Sequence, residues 1–224
     1  MTELVQFAGD VWTVARPQRF WGVETGTRMT VVRMQGGDLF VHCPVSLDAD
    51  LRAEVDALGP VSAIVASSLY HHLYVGEWQR AYPRAEVWAC PGLERKRSDL
   101  RWTGVLGDAA SSAWRTSVEQ AAFTARFEHE IVFFHPKSRT LITADAMLNL
   151  STHPSRVTRA VAALMGNDAP GKGHLERIAV RDRRLARRQV DRIAEWDPER
   201  IGLAHGALVE RDGRRVLLDA YVWV

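Results

Sequence analysis

Apolar residues along this chain fall into short runs with two alternating periods. Val11-Trp12-Thr13-Val14 and Met29-Thr30-Val31-Val32-Arg33-Met34 are rich in β-branched residues and predict strands. Gly36-Gly37 predicts a turn, and Leu39-Phe40-Val41-His42-Cys43 its returning hairpin partner. The period then changes. Leu47, Leu51, Val55 and Leu58 share one helical face, with Asp48 or Asp50 near the start and Gly59-Pro60 at the stop. Val61-Ser62-Ala63-Ile64-Val65-Ala66 is again strand-like. Leu73, Trp78 and Ala81 suggest a helix ending before Pro83, and Glu86-Val87-Trp88-Ala89-Cys90 another strand. Strand–helix–strand alternation of this kind argues for βαβ units.

The stretch from Gly104 to Ala113 is small and polar and reads as a loop. A hairpin follows, with Ile131-Val132-Phe133-Phe134 and Thr140-Leu141-Ile142-Thr143 as its arms. The pattern turns helical from Arg156 to Asp197, where Asp197-Pro198 breaks it. Ile201-Gly202-Leu203-Ala204 makes one more strand, and Leu217, Leu218, Tyr221 and Val222 fit a closing helix. The pattern by itself gives a mixed α and β chain, read as one domain over residues 1–224.

Composition narrows the function classes more than the fold. The 224 residues are 46% hydrophobic and 25% charged, ordinary for a globular chain. A net charge of +2 gives no case for bulk attraction to nucleic acid or to an anionic membrane. Two cysteines, Cys43 and Cys90, do not make a disulfide framework and read as buried free thiols. No apolar run approaches the ~18 residues of a membrane span, and Met1-Thr2-Glu3-Leu4-Val5-Gln6 has no signal-like character. The expectation is a cytoplasmic protein acting on a small molecule, with a homodimer possible.

The chemistry concentrates at strand ends. His71-His72 lies in the loop after Val61–Ala66, Asp145 closes the run Arg139–Asp145, and His205 follows Leu203-Ala204 and precedes Gly206. Imidazoles and a carboxylate are ligand types for Zn, Fe or Mn. Adjacent residues of an extended segment point opposite ways, so His71 and His72 can hold one ion together only if the loop turns between them. Adjacent loop histidines are also common as plain surface residues. If Lys137-Ser138 is a two-residue turn, Asp145 faces Glu130, and Glu128, His129 and Glu130 edge the site. His135 then sits at the far end of the hairpin.

The segment Ala63-Ile64-Val65-Ala66-Ser67-Ser68-Leu69-Tyr70-His71-His72-Leu73 resembles the metal loop of the metallo-β-lactamase superfamily, His-x-His-x-Asp-His. Ser67, Leu69, His71 and His72 take its four ligand positions. Asp145 resembles the superfamily's Gly-Asp after a hairpin, and His205-Gly206 its late Gly-His-Gly. The order holds over nearly the whole chain, which is similar to the DUF4336 branch. The resemblance implies an αββα sandwich, two mixed sheets packed face to face with helices outside. It also implies a metal held by His71, His72, Asp145 and His205. The superfamily's usual histidine near Arg126 and Phe127 is missing, and His129 could replace it only with a bulge or a change of strand face. Serine and leucine at two ligand positions predict one divalent metal, zinc by ligand chemistry, with Fe or Mn as alternatives.

Remaining motifs carry less. The run Arg181–Arg188 sits on a helix whose Ala186, Val190, Ile193 and Ala194 form the apolar stripe, so a solvated face is expected. Gly166-Asn167-Asp168-Ala169-Pro170-Gly171-Lys172-Gly173 lacks P-loop spacing and reads as a flexible loop covering the site. Three functions follow: a metal-dependent hydrolase with His71 as ligand or base, a binding module that kept the fold, or a mononuclear redox protein.

Overall fold

The computed structural model describes residues 4–124 and 129–224, so Glu128, a candidate for the site edge, lies outside the described residues. Seven strands form the first sheet. They are β1 (Val5–Ala8), β2 (Val11–Arg16), β5 (Thr27–Arg33), β6 (Leu39–His42), β7 (Val61–Ala66), β8 (Glu86–Ala89) and β9 (Gly104–Val105), in that spatial order. Pairing is antiparallel from β1 to β6 and parallel from β6 to β9. The second sheet orders β10 (Glu119–Thr124), β11 (His129–His135), β12 (Thr140–Thr143) and β13 (Arg200–Leu203), antiparallel except for the parallel β12–β13 pair. A small hairpin, β3 (Arg19–Phe20) and β4 (Val23–Glu24), stands apart from both.

Strand alternation sorts side chains into layers. Ala63 and Val65 of β7 meet Ile131 and Phe133 of β11, together with Phe40, Trp114 and Ile142, between the sheets. Ile64 and Ala66 face the other way, with Leu51 and Val55 of α1 (Ala49–Leu58) and Val75 and Trp78 of α2 (Val75–Ala81). On the far side, Val132 and Phe134 pack with Val190 and Ile193 of α6 (Arg183–Glu195) and Leu217 of α7 (Gly213–Ala220). Three apolar clusters around two sheets make the αββα sandwich that the family resemblance implied. The remaining helices are α3 (Leu93–Lys96), α4 (Arg156–Met165) and α5 (His174–Ala179).

Local signals explain the boundaries. Asp48 caps α1, its side chain accepting from the Leu51 amide at 2.8 Å, and Gly59 ends it with φ of 148°. The α6 stripe is buried as its spacing predicts, and Arg187–Asp191 pair across its outer face at 2.7 Å. Cys43 and Cys90 are both free and buried. Among the described residues no helix is long and apolar enough to cross a membrane.

Two expectations are corrected. The polar stretch from Gly104 holds β9, a two-residue edge strand paired in parallel with Trp88 and Ala89. The glycine-rich stretch around Lys172 is not a flexible cover. Lys172 is fully buried, and Gly171 pairs with Leu148 through two backbone hydrogen bonds of 2.8 and 3.0 Å. Its glycines serve backbone contact: at Gly173 a side chain would collide with Met165 and Asn167.

Candidate metal centre

The two sheets end at a common edge, where the loops after β7, β12 and β13 leave the strands. Carboxyl ends of strands are the usual seat of sites in α/β folds. The β12–β13 register runs Thr140↔Arg200 through Thr143↔Leu203, and carried two residues on it sets Asp145 beside His205. The loop after β7 is tied across the gap by the Ile131 amide, which donates to the Ser67 carbonyl at 2.9 Å. The hairpin register is the one expected: Phe133↔Ile142 and His135↔Thr140 pair around the Pro136–Ser138 turn.

Three donors converge there. His71 Nε2 lies 3.2 Å from Asp145 Oδ1 and 3.1 Å from His205 Nε2, and His205 Nε2 lies 3.5 Å from the same oxygen. Their side chains are 7%, 14% and 13% exposed. Ligands about 2.0–2.1 Å from a tetrahedral zinc stand about 3.3–3.4 Å from one another, so this triangle has the size of one face of such a shell. Among the described residues it is the one group of three His, Cys or carboxylate donors close enough to share an ion. Two imidazole nitrogens so close need a shared proton or cation between them.

Surrounding contacts orient each donor. His205 Nδ1 meets the Gly26 carbonyl at 2.8 Å; a carbonyl only accepts, so Nδ1 carries the proton and Nε2 turns its lone pair inward. Arg28 holds the same turn, donating to the carbonyls of Leu203 at 2.6 Å and Gly206 at 2.8 Å. Gly206 has φ of +83°, and a Cβ there would overlap the Asn149 carbonyl. Ser68 Oγ donates to Asp145 Oδ2 at 2.5 Å, which leaves Oδ1 to the imidazoles.

The electrostatics suit a cation. Burial disfavours the charged form of Asp145, but the His71 charge, the neighbouring His205 imidazole and the His71 hydrogen bond overcome it and hold the carboxyl well below its ordinary range. Burial likewise opposes a charge on His71. The Asp145 carboxylate, with Glu130's charge behind it, reverses the balance and raises its pKa.

The other sequence candidates do not join. His72 faces away, as alternation of neighbours demands: Arg97 Nη1 lies 3.0 Å from its Nδ1 and donates to its carbonyl at 3.1 Å. Burial and then the Lys96 and Arg97 charges pull its pKa down to about 4. His129 is exposed at the first residue of β11, opposite Thr124. His135 is at the distal turn, as the hairpin register placed it, and is buried there with Nδ1 2.8 Å from Ser138 Oγ. Ser67 is engaged with His42 Nε2 at 2.8 Å and Cys43 Sγ at 3.2 Å, and Leu69 packs on the core behind β7.

Sequence reasoning missed Ser68, Arg28 and the β3–β4 hairpin. Trp21 and Gly22, with φ of 47° and 82°, form the two-residue turn of a tight hairpin. Phe20 stacks on Trp21 at 4.9 Å and meets Tyr70 edge-on at 6.2 Å, one residue from His71. Trp21 is 87% exposed. The Trp-Gly pair between two short β-prone stretches was the available signal.

This sandwich, with its donors at the strand ends, defines the metallo-β-lactamase fold. It superposes on DIM-1 metallo-β-lactamase exposed to ceftazidime with TM-score 0.68 and 14% identity, covering 98% of this chain and 96% of that one. A metallo-β-lactamase from Pontibacter korlensis gives 0.66 and 11%, covering 98% of each, and VMB-1 gives 0.67 and 9%, covering 100% and 99%. Within that fold the chain belongs to the DUF4336 family, a domain of unknown function whose pattern matches residues 8–184. No curated protein sequence matches it significantly.

Proposed function

We propose that the protein is a mononuclear metal-dependent hydrolase acting on an ester, thioester, amide or phosphoester of a small molecule. The observation that carries this reading is the triangle of His71 Nε2, Asp145 Oδ1 and His205 Nε2, three protein donors where a closed structural site would have four. Zinc suits the two imidazoles and one carboxylate, with iron or manganese as alternatives. A divalent ion held by His71, Asp145 and His205 would supply Lewis acidity, lowering the pKa of water toward about 7 and polarising a carbonyl or phosphoryl oxygen.

The chain's own residues supply orientation. His205 is fixed in one tautomer by Gly26, and Asp145 in one rotamer by Ser68. His71 serves as a donor in this arrangement, which leaves it no free nitrogen at Nε2 to act as base. The aromatic hairpin and Tyr70 offer an apolar wall to the leaving or acyl group of a substrate and shield that side from water. With Ser67 held by His42 and Leu69 turned to the core, a single ion per chain is part of the proposal.

The test is hydrolysis by zinc-loaded protein of an aryl ester, an aryl thioester, a bis-aryl phosphodiester and a cephalosporin. The expected result is turnover of at least one substrate, abolished by chelator and by Asp145→Ala. Protein that holds one ion yet turns over none of the panel would overturn the hydrolase reading in favour of a binding module.

A further inference from the structure

Two buried charged side chains beside the centre belong to no part of the donor triangle. Glu130, 1% exposed, accepts three consecutive backbone amides, those of Ala144 at 2.6 Å, Asp145 at 2.8 Å and Ala146 at 2.5 Å. Lys172, 0% exposed, donates to the Asp145 carbonyl at 3.0 Å. An anion thus holds the N–H side of the Asp145 turn and a cation holds its C=O. Charged groups are costly to bury, and an apolar residue fills space more cheaply. The ring of Phe123, 5.9 Å from the Lys172 ammonium, belongs to the apolar cluster under α6 and α7.

We infer that Glu130 and Lys172 are positioning residues that clamp the Asp145 backbone and so aim its carboxylate at His71 and His205. The geometry gives the clamp reach. After Asp145 the chain runs directly to Asn149, whose amide donates to the His205 carbonyl at 3.2 Å and whose carbonyl accepts from the Ala207 amide at 2.8 Å. Leu148 bridges Gly171, the residue before Lys172. The clamp therefore fixes the segment that supports both the carboxylate and the His205 turn. Three successive N–H groups at a strand end form an anion-binding concavity, and here the anion is built into the chain.

The inference rests on the proposed ion only for its metal readout, so the experiment has two arms. The first is amide hydrogen exchange on the wild-type protein. Ala144, Asp145 and Ala146 are expected to exchange far more slowly than the amides of the polar loop at 107–113. Equal rates would overturn the clamp, whether or not any metal binds. The second is cobalt(II) titration of Glu130→Gln and Lys172→Met, with folding checked by circular dichroism. Outer contacts of this kind change metal affinity about 10–100-fold, and that weakening is expected together with a shifted cobalt d–d spectrum. Folded variants with wild-type affinity and spectrum would overturn the inference. A wild type that binds no cobalt would refute the ion and leave the exchange arm to decide the clamp. A variant that does not fold leaves the decision to the wild-type exchange and to the other variant.

Discussion

At the residue scale, His71 and His72 are chemically identical neighbours with opposite environments. His71 turns to Asp145 and His205, and His72 turns to a guanidinium that disfavours any cation. His71→Ala is expected to lower zinc affinity at least about tenfold, with His72→Ala within about twofold of wild type; competition against a chromophoric chelator measures both. Equal losses would contradict the assignment. Gly206 is fixed by sterics, because any side chain there meets the Asn149 carbonyl at an already left-handed φ. Gly206→Ala should cost about 2 kcal/mol or more, read as a lower urea midpoint. The sequence exposed Asp145 and His205 through strand order, but between the two histidines the family resemblance favoured His72, which holds the unchanged ligand position, whereas His71 is the one turned to Asp145 and His205. That choice depends on which way the loop turns, and no residue between Ser67 and His71 dictates it.

At the element scale, β6 and β11 join the layers. Phe133 is fully buried, with ring contacts to Phe40 at 5.1 Å and His42 at 5.6 Å. Phe133→Ala should destabilise the fold by about 3–5 kcal/mol, the usual cost of removing a buried aromatic ring, measured by chemical denaturation. His42, at the end of β6, is held neutral. Burial first, and then the His71 charge, pulls its pKa from 6.5 to about 3. A depressed histidine pKa means that the unfolded chain takes up the proton first as pH falls. Its contribution is therefore complete above pH 6.5 and is lost progressively toward pH 3. The full linkage is on the order of 5 kcal/mol. His42→Gln should flatten the pH dependence of stability in this window relative to wild type, and a parallel dependence would show that His42 does not titrate this way.

At the scale of the whole molecule, the individual strands were legible because they carry their own signals, while their αββα arrangement came only from the family resemblance. The hairpin register through Phe133 and Ile142 followed from the turn at Lys137-Ser138, and it brought Glu130 opposite Asp145. The parallel β12–β13 pair and the seven-strand order were not legible, since long-range pairing leaves no local trace. The glycine-rich stretch misled for a physical reason. Glycines mark close backbone approach as well as freedom, and around Lys172 they mark approach. The β3–β4 hairpin was missed because two-residue strands are too short to show a period.

The central claim is one ion shared by His71, Asp145 and His205. It is tested most directly by an anomalous difference map from crystals of zinc-loaded protein, with data at the zinc edge. The account predicts one peak per chain, about 2.0–2.2 Å from His71 Nε2, Asp145 Oδ1 and His205 Nε2. A peak on His72 or His129, a second peak beside Ser67, or no peak at the triangle would contradict it.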